Sequence, residues 1–133
     1  MMKTLVVYYS KSGNTRAVAE KVQSALSCDV DEIRYQPKEH RVSSDLNPAD
    51  YDLVILMCPI WAFRLSEPMA LYLQQQKASI KRYRLAVTCG GFGLRGCVSD
   101  CKKILHTLPE TTVKIKQKAI QDGTYSIDDM IKP

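Results

Sequence analysis

The stretch that decides the fold is "TLVVYYSKSGNTRAVAEKV", residues 4–22. Its first six residues form an apolar run typical of a buried strand, and from Asn14 onward apolar side chains recur at helical spacing. The connection between them, "SKSGNT" at 10–15, holds three hydroxyl side chains and one glycine. An ordinary connection needs only a turn residue and a helix cap. The sequence therefore predicts a strand and a helix joined by a loop with enough hydrogen-bonding groups to bind a ligand.

The chemistry of this loop favours a phosphate group. A helix start presents unpaired N–H groups and a partial positive charge, and Gly13 lets the backbone come close to an anion. The side chains that could add hydrogen bonds are Ser10, Ser12, Asn14 and Thr15. Lys11 is expected to face water. A second interpretation stays open from the residues alone: Asn14 or Thr15 caps the helix, and the loop binds nothing.

Strands and helices alternate along the whole chain, which predicts a parallel sheet with right-handed crossovers. The predicted strands are 4–9, 29–35, 52–58, 84–89 and 111–118, and the predicted helices are 14–26, 66–78, 96–107 and 126–132. Three strands are almost continuously apolar and should be interior, whereas 29–35 and 111–118 carry charges suited to edges. The expected fold is an α/β three-layer sandwich, a single domain over 1–133, with a five-stranded parallel sheet in the order 2-1-3-4-5.

The same topology predicts where a ligand would bind, because parallel sheets bind ligands at the carboxyl ends of their strands where the order reverses. The loops that meet there are 10–15, 59–66 and 89–96. Elsewhere, Ser66 is expected to cap the second helix. The polar segment 36–51 is expected to be a loose crossover on the surface.

The composition of the chain indicates which binding partners and which cell compartment to expect. The net charge is +5; residues 1–60 carry 7 Lys and Arg against 8 Asp and Glu, and 61–133 carry 12 against 6. This basic half suits an anionic cofactor, NAD(P)H or an acidic redox partner protein, and no motif for nucleic acid accompanies it. No apolar run reaches the length of a membrane span, and no signal-peptide pattern opens the chain, so we expect a cytoplasmic protein without a membrane partner. Five cysteines without a CxxC pair predict free thiols and no metal site.

Three segments together resemble the flavodoxin family. "VVYYSKSGNTRAVAEKV" resembles its phosphate loop, whose pattern is [ST]-x-[ST]-G-N-T, while "DYDLVILMCPIW" and "LAVTCGGFG" are similar to its third and fourth strands with the flavin loops that follow. The resemblance implies a flavodoxin-like fold, non-covalent FMN and electron transfer, as in short-chain flavodoxins. The cofactor-binding residues that it implies are Ser10, Lys11, Ser12, Gly13, Asn14, Thr15, Pro59, Ile60, Trp61, Ala62, Cys89, Gly90, Gly91, Phe92 and Gly93.

Trp61 and Phe92 are the two aromatic residues that would border the flavin ring. Trp61 follows a strand end and could stack on a planar ring, but it could instead be a core tryptophan beneath the loop. Phe92 stands among glycines that cannot cover it, which suits the wall of a pocket. It could also fold back onto the core.

Two departures from the flavodoxin pattern favour a different redox role. Flavodoxins surround their flavin with acidic residues, whereas basic residues flank this site, namely Lys11, Arg16, Arg64 and Arg95. In flavodoxins a peptide flip after the third strand, commonly at glycine, stabilises the one-electron-reduced flavin. Here that loop has no glycine, and Ala62 and Phe63 are expected to resist a positive φ. The alternative to an electron carrier is therefore an NAD(P)H-dependent flavin oxidoreductase.

The segment "CGGFGLRG" also fits two unrelated sites. Cys89 and Arg95 have the spacing of cysteine-dependent phosphatases, in which a thiolate attacks phosphorus and the arginine holds the oxygens. Against this, no acidic residue of the neighbouring loops is an obvious general acid, and "SKSGNT" would have no role. The glycines also spell G-x-G-x-x-G, but on the wrong strand for a dinucleotide site.

The short last helix predicts a partner. A helix over 126–132 covers about 10 Å, against about 20 Å for the first helix on the same face. The apolar strip left bare would favour a homodimer. In the alternative, residues 119–125 fold over the gap.

Overall fold

The computed structural model describes residues 2–133, and its main sheet has the predicted topology. The strands are β1 (Thr4–Tyr8), β2 (Asp29–Glu32), β3 (Arg34–Gln36), β4 (Arg41–Ser43), β5 (Leu53–Trp61), β6 (Arg64–Leu65), β7 (Tyr83–Cys89) and β8 (Thr112–Lys116). Five of them pair in parallel in the order β2-β1-β5-β7-β8, which confirms the predicted 2-1-3-4-5 arrangement. All of β7 and the first six residues of β5 are buried, because helices cover the sheet on both faces.

Helices on the two faces of the sheet enclose two apolar clusters. The helices are α1 (Asn14–Leu26), α2 (Glu67–Gln76), α3 (Leu94–Leu105), α4 (Gln117–Asp122) and α5 (Asp128–Ile131). On one face, α2 and α3 pack against the odd-numbered residues of β7; on the other, α1 and α5 pack against β1, β5 and Ala86. Within 2–133 no helix is long and apolar enough to cross a membrane.

The segment 36–51 is more ordered than predicted. β3 and β4 form an antiparallel ribbon, and a short 3-10 turn with His40 at φ 48° connects them. Val42 is buried in the core, and the buried Asp31 carboxylate accepts hydrogen bonds from the amides of Asp45 and Leu46. The prediction of a loose crossover was wrong because one buried apolar residue in a three-residue strand leaves almost no periodic signal.

Ser66 occupies the residue before α2, but its hydroxyl makes no capping hydrogen bond. The side chain is fully buried. The predicted side-chain cap is therefore absent, and the helix begins instead with Glu67 and Pro68 in its first turn. A proline there costs nothing, because its missing N–H would have had no partner within the helix.

The apolar strip that was expected to be bare beside the last helix is covered. This is the alternative outcome, in which residues 119–125 fold over the gap. The chain turns from β8 directly into α4, which packs against α1. Ile120 and Tyr125 lie against the apolar cluster of that face, and the Lys21 ammonium sits 4.7 Å from the Tyr125 ring centroid. The prediction of a bare strip was wrong because the segment before the last helix contains a further helix, α4, which packs against α1.

We therefore expect sedimentation at micromolar concentration to give a single 15.0 kDa species. Ile120 and Tyr125 cover the strip whose exposure would have favoured a homodimer. A species of twice that mass would contradict this expectation and restore the homodimer. Its interface would then have to lie on another face of the molecule.

Candidate functional site

The first loop leaves the amides of a helix start free. β1 ends at Tyr8 and α1 begins at Asn14, with Gly13 between them at φ 94°. The Gly13 amide donates to Ser10 Oγ at 3.1 Å, while no side chain caps the helix. The first bond within the helix runs from Ala17 N–H to the Gly13 carbonyl, so the amides of 14–16 have no partner inside it.

The space outside this helix start is open, and Glu32, the acidic residue that reaches the first turn of α1, is paired with Arg16. A Cβ built on Gly13 would meet nothing within 4 Å, and no acidic residue lies in the first turn of α1. Free amides, open space and hydroxyl side chains together form a cradle that fits a phosphate group. The alternative in which Asn14 or Thr15 caps the helix through its side chain does not describe this loop.

Thr15 ties the first loop to the end of β7. Its side chain is buried, and its Oγ1 lies 2.9 Å from Thr88 Oγ1. Thr88 directly precedes Cys89, so this hydrogen bond joins the helix start to the strand that leads into the third loop. The resemblance implied that Thr15 contacts the phosphate, and Thr88 was not among the expected site residues. The alternation of side chains along β7, with Ala86 on the same face, is the signal that could have found it.

The second loop is a tight hairpin and not an open loop. β5 continues to Trp61, and β6 pairs back on it through Trp61–Arg64 and Ile60–Leu65. The two turn residues, Ala62 and Phe63, have φ of 51° and 66°. Positive φ at both central residues is what a type I′ turn requires.

The expectation that Ala62 and Phe63 would resist a positive φ was therefore wrong. Each non-glycine residue in this region costs about 1–2 kcal/mol. The strand pairing on one side and the contacts with α3 on the other hold the turn in place. Strained backbone of this kind persists only where the surrounding structure fixes it.

Trp61 lies in an aromatic cluster at the mouth of the site. Its ring is 5.8 Å from that of Tyr9, edge to face, and 6.2 Å from that of Tyr35. It is only partly buried, so it is not the core tryptophan of the alternative interpretation. Lys11 is exposed, as expected, and its Nζ lies 5.7 Å from the Trp61 ring centroid, within cation–π range.

Tyr35 belongs to a hydrogen-bonded group that the sequence did not reveal. Its hydroxyl donates to Glu67 Oε1 at 2.6 Å, and His40 Nδ1 lies 2.8 Å from the same oxygen. Both bonds lower the pKa of Glu67, with Tyr35 the larger cause, and the bond to Glu67 is the main cause that raises the pKa of Tyr35 to about 12. They hold the β3–β4 ribbon beside the start of α2 and so fix one wall of the aromatic cluster.

Two glycines let the third loop pack against the hairpin. Gly93 has φ 120°, and a Cβ built there would lie 2.7 Å from Ile60 Cγ2. A Cβ on Gly96, in the first turn of α3, would overlap the Phe63 carbonyl oxygen. Gly90 and Gly91 have open space around them. The hairpin and the third loop are therefore in direct backbone contact.

Phe92 and Phe63 stand at the outer border of the site. Phe92 is 82% exposed and Phe63 is 66% exposed, so neither folds back onto the core. Phe92 therefore lies at the position in the third loop where we expected the wall of a pocket. The three predicted loops meet at the carboxyl edge of the sheet, joined through Lys11 and Trp61, Gly93 and Ile60, and Thr15 and Thr88.

Four basic residues were expected to flank the site, but two of them are paired with acidic residues, so the site is less positively charged than the sequence suggested. Arg16 binds Glu32 at 2.5 Å, and Arg64 binds Asp100 through Nε and Nη2. Asp100 also accepts from the Leu65 amide at 3.2 Å, so it anchors the hairpin to α3. Lys11 and Arg95 make no ion pair with any described residue.

Acid is expected to weaken the Asp100 anchor. The Arg64 guanidinium is the main cause that holds the pKa of Asp100 below its usual value. The ion pair thus stabilises the fold above the unfolded-state pKa of about 3.9, and this is lost as the pH falls through the lower folded-state pKa. The effect should be small because the Arg64 side chain is 55% exposed.

Denaturant unfolding at pH values across this range measures the effect. Asp100→Asn should be less stable than the unchanged chain at neutral pH, and the difference should shrink below about pH 4. Glu20→Gln, which removes an exposed carboxylate of α1 that makes no ion pair among the described residues, is the control for general loss of charge. A difference for Asp100→Asn that is constant with pH would contradict the assignment.

The cysteine at the third loop does not form an exposed nucleophile. Cys89 is 4% exposed, while Arg95 lies on the exposed surface of α3. Nothing in this arrangement favours the phosphatase alternative. All five cysteines are free thiols, as predicted, and burial raises the pKa of Cys58, Cys97 and Cys101 to about 12. No group of metal-ligating side chains occurs within the described range.

Comparison with known proteins gives one family. The family model described as a flavodoxin domain matches residues 5–127. A search of curated proteins gives no significant match. The fold is similar to that of several solved structures, each at 21% identity or less.

Three solved structures illustrate this likeness. A flavoprotein from Lactobacillus acidophilus NCFM, in complex with FMN, is 20% identical with a TM-score of 0.76, over 94% of this chain and 100% of that one. A flavodoxin from the domain Archaea is 20% identical with a TM-score of 0.58, over 92% of each chain. A short-chain flavodoxin associated with a non-canonical PDU bacterial microcompartment is 15% identical with a TM-score of 0.60, over 94% of this chain and 100% of that one. With the family match over most of its length, the chain belongs to the flavodoxin domain family.

Proposed function

We propose that the chain binds FMN non-covalently at the carboxyl edge of its sheet and transfers electrons through it. The observation that supports this most strongly is the uncapped start of α1, open to an anion, beside an aromatic-bearing hairpin. The solved relative with FMN supports the identity of the cofactor. When bound, the flavin supplies the redox chemistry. The cytoplasm is the proposed setting, because a reducing compartment keeps the free thiols reduced.

The residues divide between binding the phosphate and bordering the ring. The amides of 14–16 and the hydroxyls of Ser10 and Ser12 would hold the phosphate, while Thr15 keeps the helix start against β7. Trp61 and Phe92 would border the ring from the second and third loops. The remaining cofactor-binding candidates, Pro59, Ile60, Ala62, Cys89, Gly90, Gly91 and Gly93, contribute loop backbone or buried support.

Trp61 gives a direct test, because it is the single tryptophan of the chain. Adding FMN to the purified chain should quench its fluorescence and shift the flavin absorption spectrum, both with the same dissociation constant. Trp61→Phe keeps an aromatic ring, so it should retain the absorption change while losing the fluorescence signal. If neither signal changes at millimolar FMN, the proposal fails.

The second candidate is an NAD(P)H-dependent flavin oxidoreductase, which Lys11 and Arg95 favour as unpaired cations beside the site. Anaerobic mixing of the FMN-loaded chain with NADPH separates the two functions. In an electron carrier, NADPH should bleach the flavin absorbance slowly, and faster only when a reductase is added. In an oxidoreductase, NADPH alone should bleach it rapidly. In the second case Arg95→Ala should slow bleaching, while Arg82→Ala, on the opposite edge of the sheet, should not.

A further inference from the structure

A cavity of about 490 Å³ opens at the end of the sheet opposite the candidate FMN site. It lies at the amino ends of the strands, where Thr4, Asp29 and Leu53 begin β1, β2 and β5. The end of α1 and the end of α5 form its other walls. Its volume is within the range of small-molecule sites. No loop of the proposed FMN site contributes to it.

Arg84 lines this cavity as a buried cation without an anion. It is the second residue of β7, is 5% exposed, and shares its face of the sheet with Ala86, toward α1 and α5. Its Nη1 donates a hydrogen bond to the carbonyl oxygen of Met130, 2.7 Å away and near the end of α5. Its Nε is buried and has no hydrogen-bond partner.

The charged groups around Arg84 are already engaged elsewhere. Arg84 takes part in no ion pair within residues 2–133. Glu110 is held by Arg82 at 2.5 Å, and Asp29 accepts a hydrogen bond from the Tyr51 hydroxyl at 2.6 Å. Lys132, at the mouth of the cavity, pairs with Asp129. Lys3, the other cation that lines the cavity, places its Nζ 5.1 Å from the Tyr51 ring centroid. Among the described residues that line the cavity, Arg84 is therefore the buried charged group that makes no ion pair.

A buried guanidinium that makes no ion pair is expected to bind an anion. Buried charges are costly unless they are paired, and a buried donor without a partner adds to that cost. The planar guanidinium matches a carboxylate, which can accept two parallel hydrogen bonds from it. The carbonyl of Met130 satisfies one donor and leaves the others for a ligand.

The other side chains that line the cavity indicate which chemical group is attached to the anion. Leu26, Leu53 and Ile131 line the cavity with aliphatic surface. Such surface favours an aliphatic chain over a small, fully hydrated anion such as inorganic phosphate. We propose that this cavity binds a small aliphatic carboxylate, with its carboxylate on Arg84 and its chain against these three side chains.

Cys28 lines the cavity and can report on its occupation in the unchanged chain. It is only half-buried, whereas the other four cysteines are buried, so a thiol reagent should label Cys28 first. With FMN at saturating concentration, hexanoate should slow alkylation of Cys28 at least about tenfold. Hexanol and inorganic phosphate at equal concentration should not. The assay can also be run without FMN, so its result does not depend on the proposed electron transfer.

Calorimetric titration of variants tests the role of Arg84. Arg84→Met should weaken hexanoate binding about tenfold or more, the effect expected for losing a charge-assisted contact. Arg84→Lys keeps the charge without the planar donors and should fall between. Lys81→Ala, which removes an exposed cation that does not line the cavity and makes no ion pair among the described residues, should bind hexanoate unchanged.

Two results would overturn the proposal. One is that hexanoate leaves Cys28 alkylation unchanged in the natural sequence, or slows it no more than hexanol or phosphate does. The other is that a folded Arg84→Met variant binds hexanoate as tightly as the unchanged chain. Should that variant fail to fold, the alkylation result decides alone.

Discussion

Replacing Gly96 by alanine is expected to destabilise the chain by about 2–3 kcal/mol and to weaken FMN binding at least tenfold. The added methyl would overlap the Phe63 carbonyl oxygen and lie 3.2 Å from Arg64 Cδ. A backbone oxygen in a two-residue turn cannot rotate away as a flexible side chain could. Either α3 must move outward or the turn must open, and Trp61 begins that turn.

Gly91→Ala is the matched control in the same loop. A Cβ built on Gly91 meets nothing within 4 Å, and this glycine does not need a positive φ. It should therefore change the free energy of unfolding by about 0.5 kcal/mol or less. Urea denaturation measures the stability of both variants, and titration with FMN measures their affinity. Equal behaviour of the two would mean that the contact between Gly96 and the hairpin does not hold the site.

The sheet could be predicted from the sequence because its signals are strong and local. "LVILMC" is apolar without interruption, and Thr88 alone interrupts "LAVTC", a pattern that only a strand covered on both faces requires. Lys114 and Lys116 mark an edge. Together with the alternation of strands and helices, these features leave few arrangements of five strands. The positions of the three loops then follow from the topology.

The walls of the site could not be predicted, because long-range contacts decide them. Neither Ala62 nor Phe63 favours a positive φ, and only the fit of Gly93 and Gly96 against the hairpin explains the turn. Tyr35 reaches the site through a ribbon whose strands have three residues each. Its link to Glu67 joins residues 32 positions apart, which no spacing pattern in the sequence reveals.

The roles of individual loop residues also depend on packing. Thr15 matches the phosphate-loop pattern, yet it is buried and hydrogen-bonded to Thr88. Arg64 adds a positive charge to the sequence of the second loop, yet Asp100 on α3 compensates it. A pattern therefore identifies the loop that faces a ligand. The structure decides which side chains of that loop remain free to bind it.

The largest effect on the cofactor is expected from the first loop. Replacing Ser12 and Thr15 together by alanine should weaken FMN binding by several kcal/mol, because the phosphate loses one charge-assisted hydrogen bond of about 1.5–3 kcal/mol and the helix start loses its support. Ser12 would lose a direct donor to the phosphate. Thr15→Ala would leave the Thr88 hydroxyl without its partner and release the helix start whose amides face the anion.

Riboflavin separates this effect from a general loss of structure, since it carries the same ring without the phosphate. Its affinity should change little in the double variant, because Trp61 and the hairpin are untouched. Thr15→Ser, combined with the natural Ser12, keeps a hydroxyl opposite Thr88 and should bind FMN nearly as well as the unchanged chain. If FMN and riboflavin lose equal affinity, the phosphate does not lie at the start of α1, and the cradle around Gly13 would need another ligand.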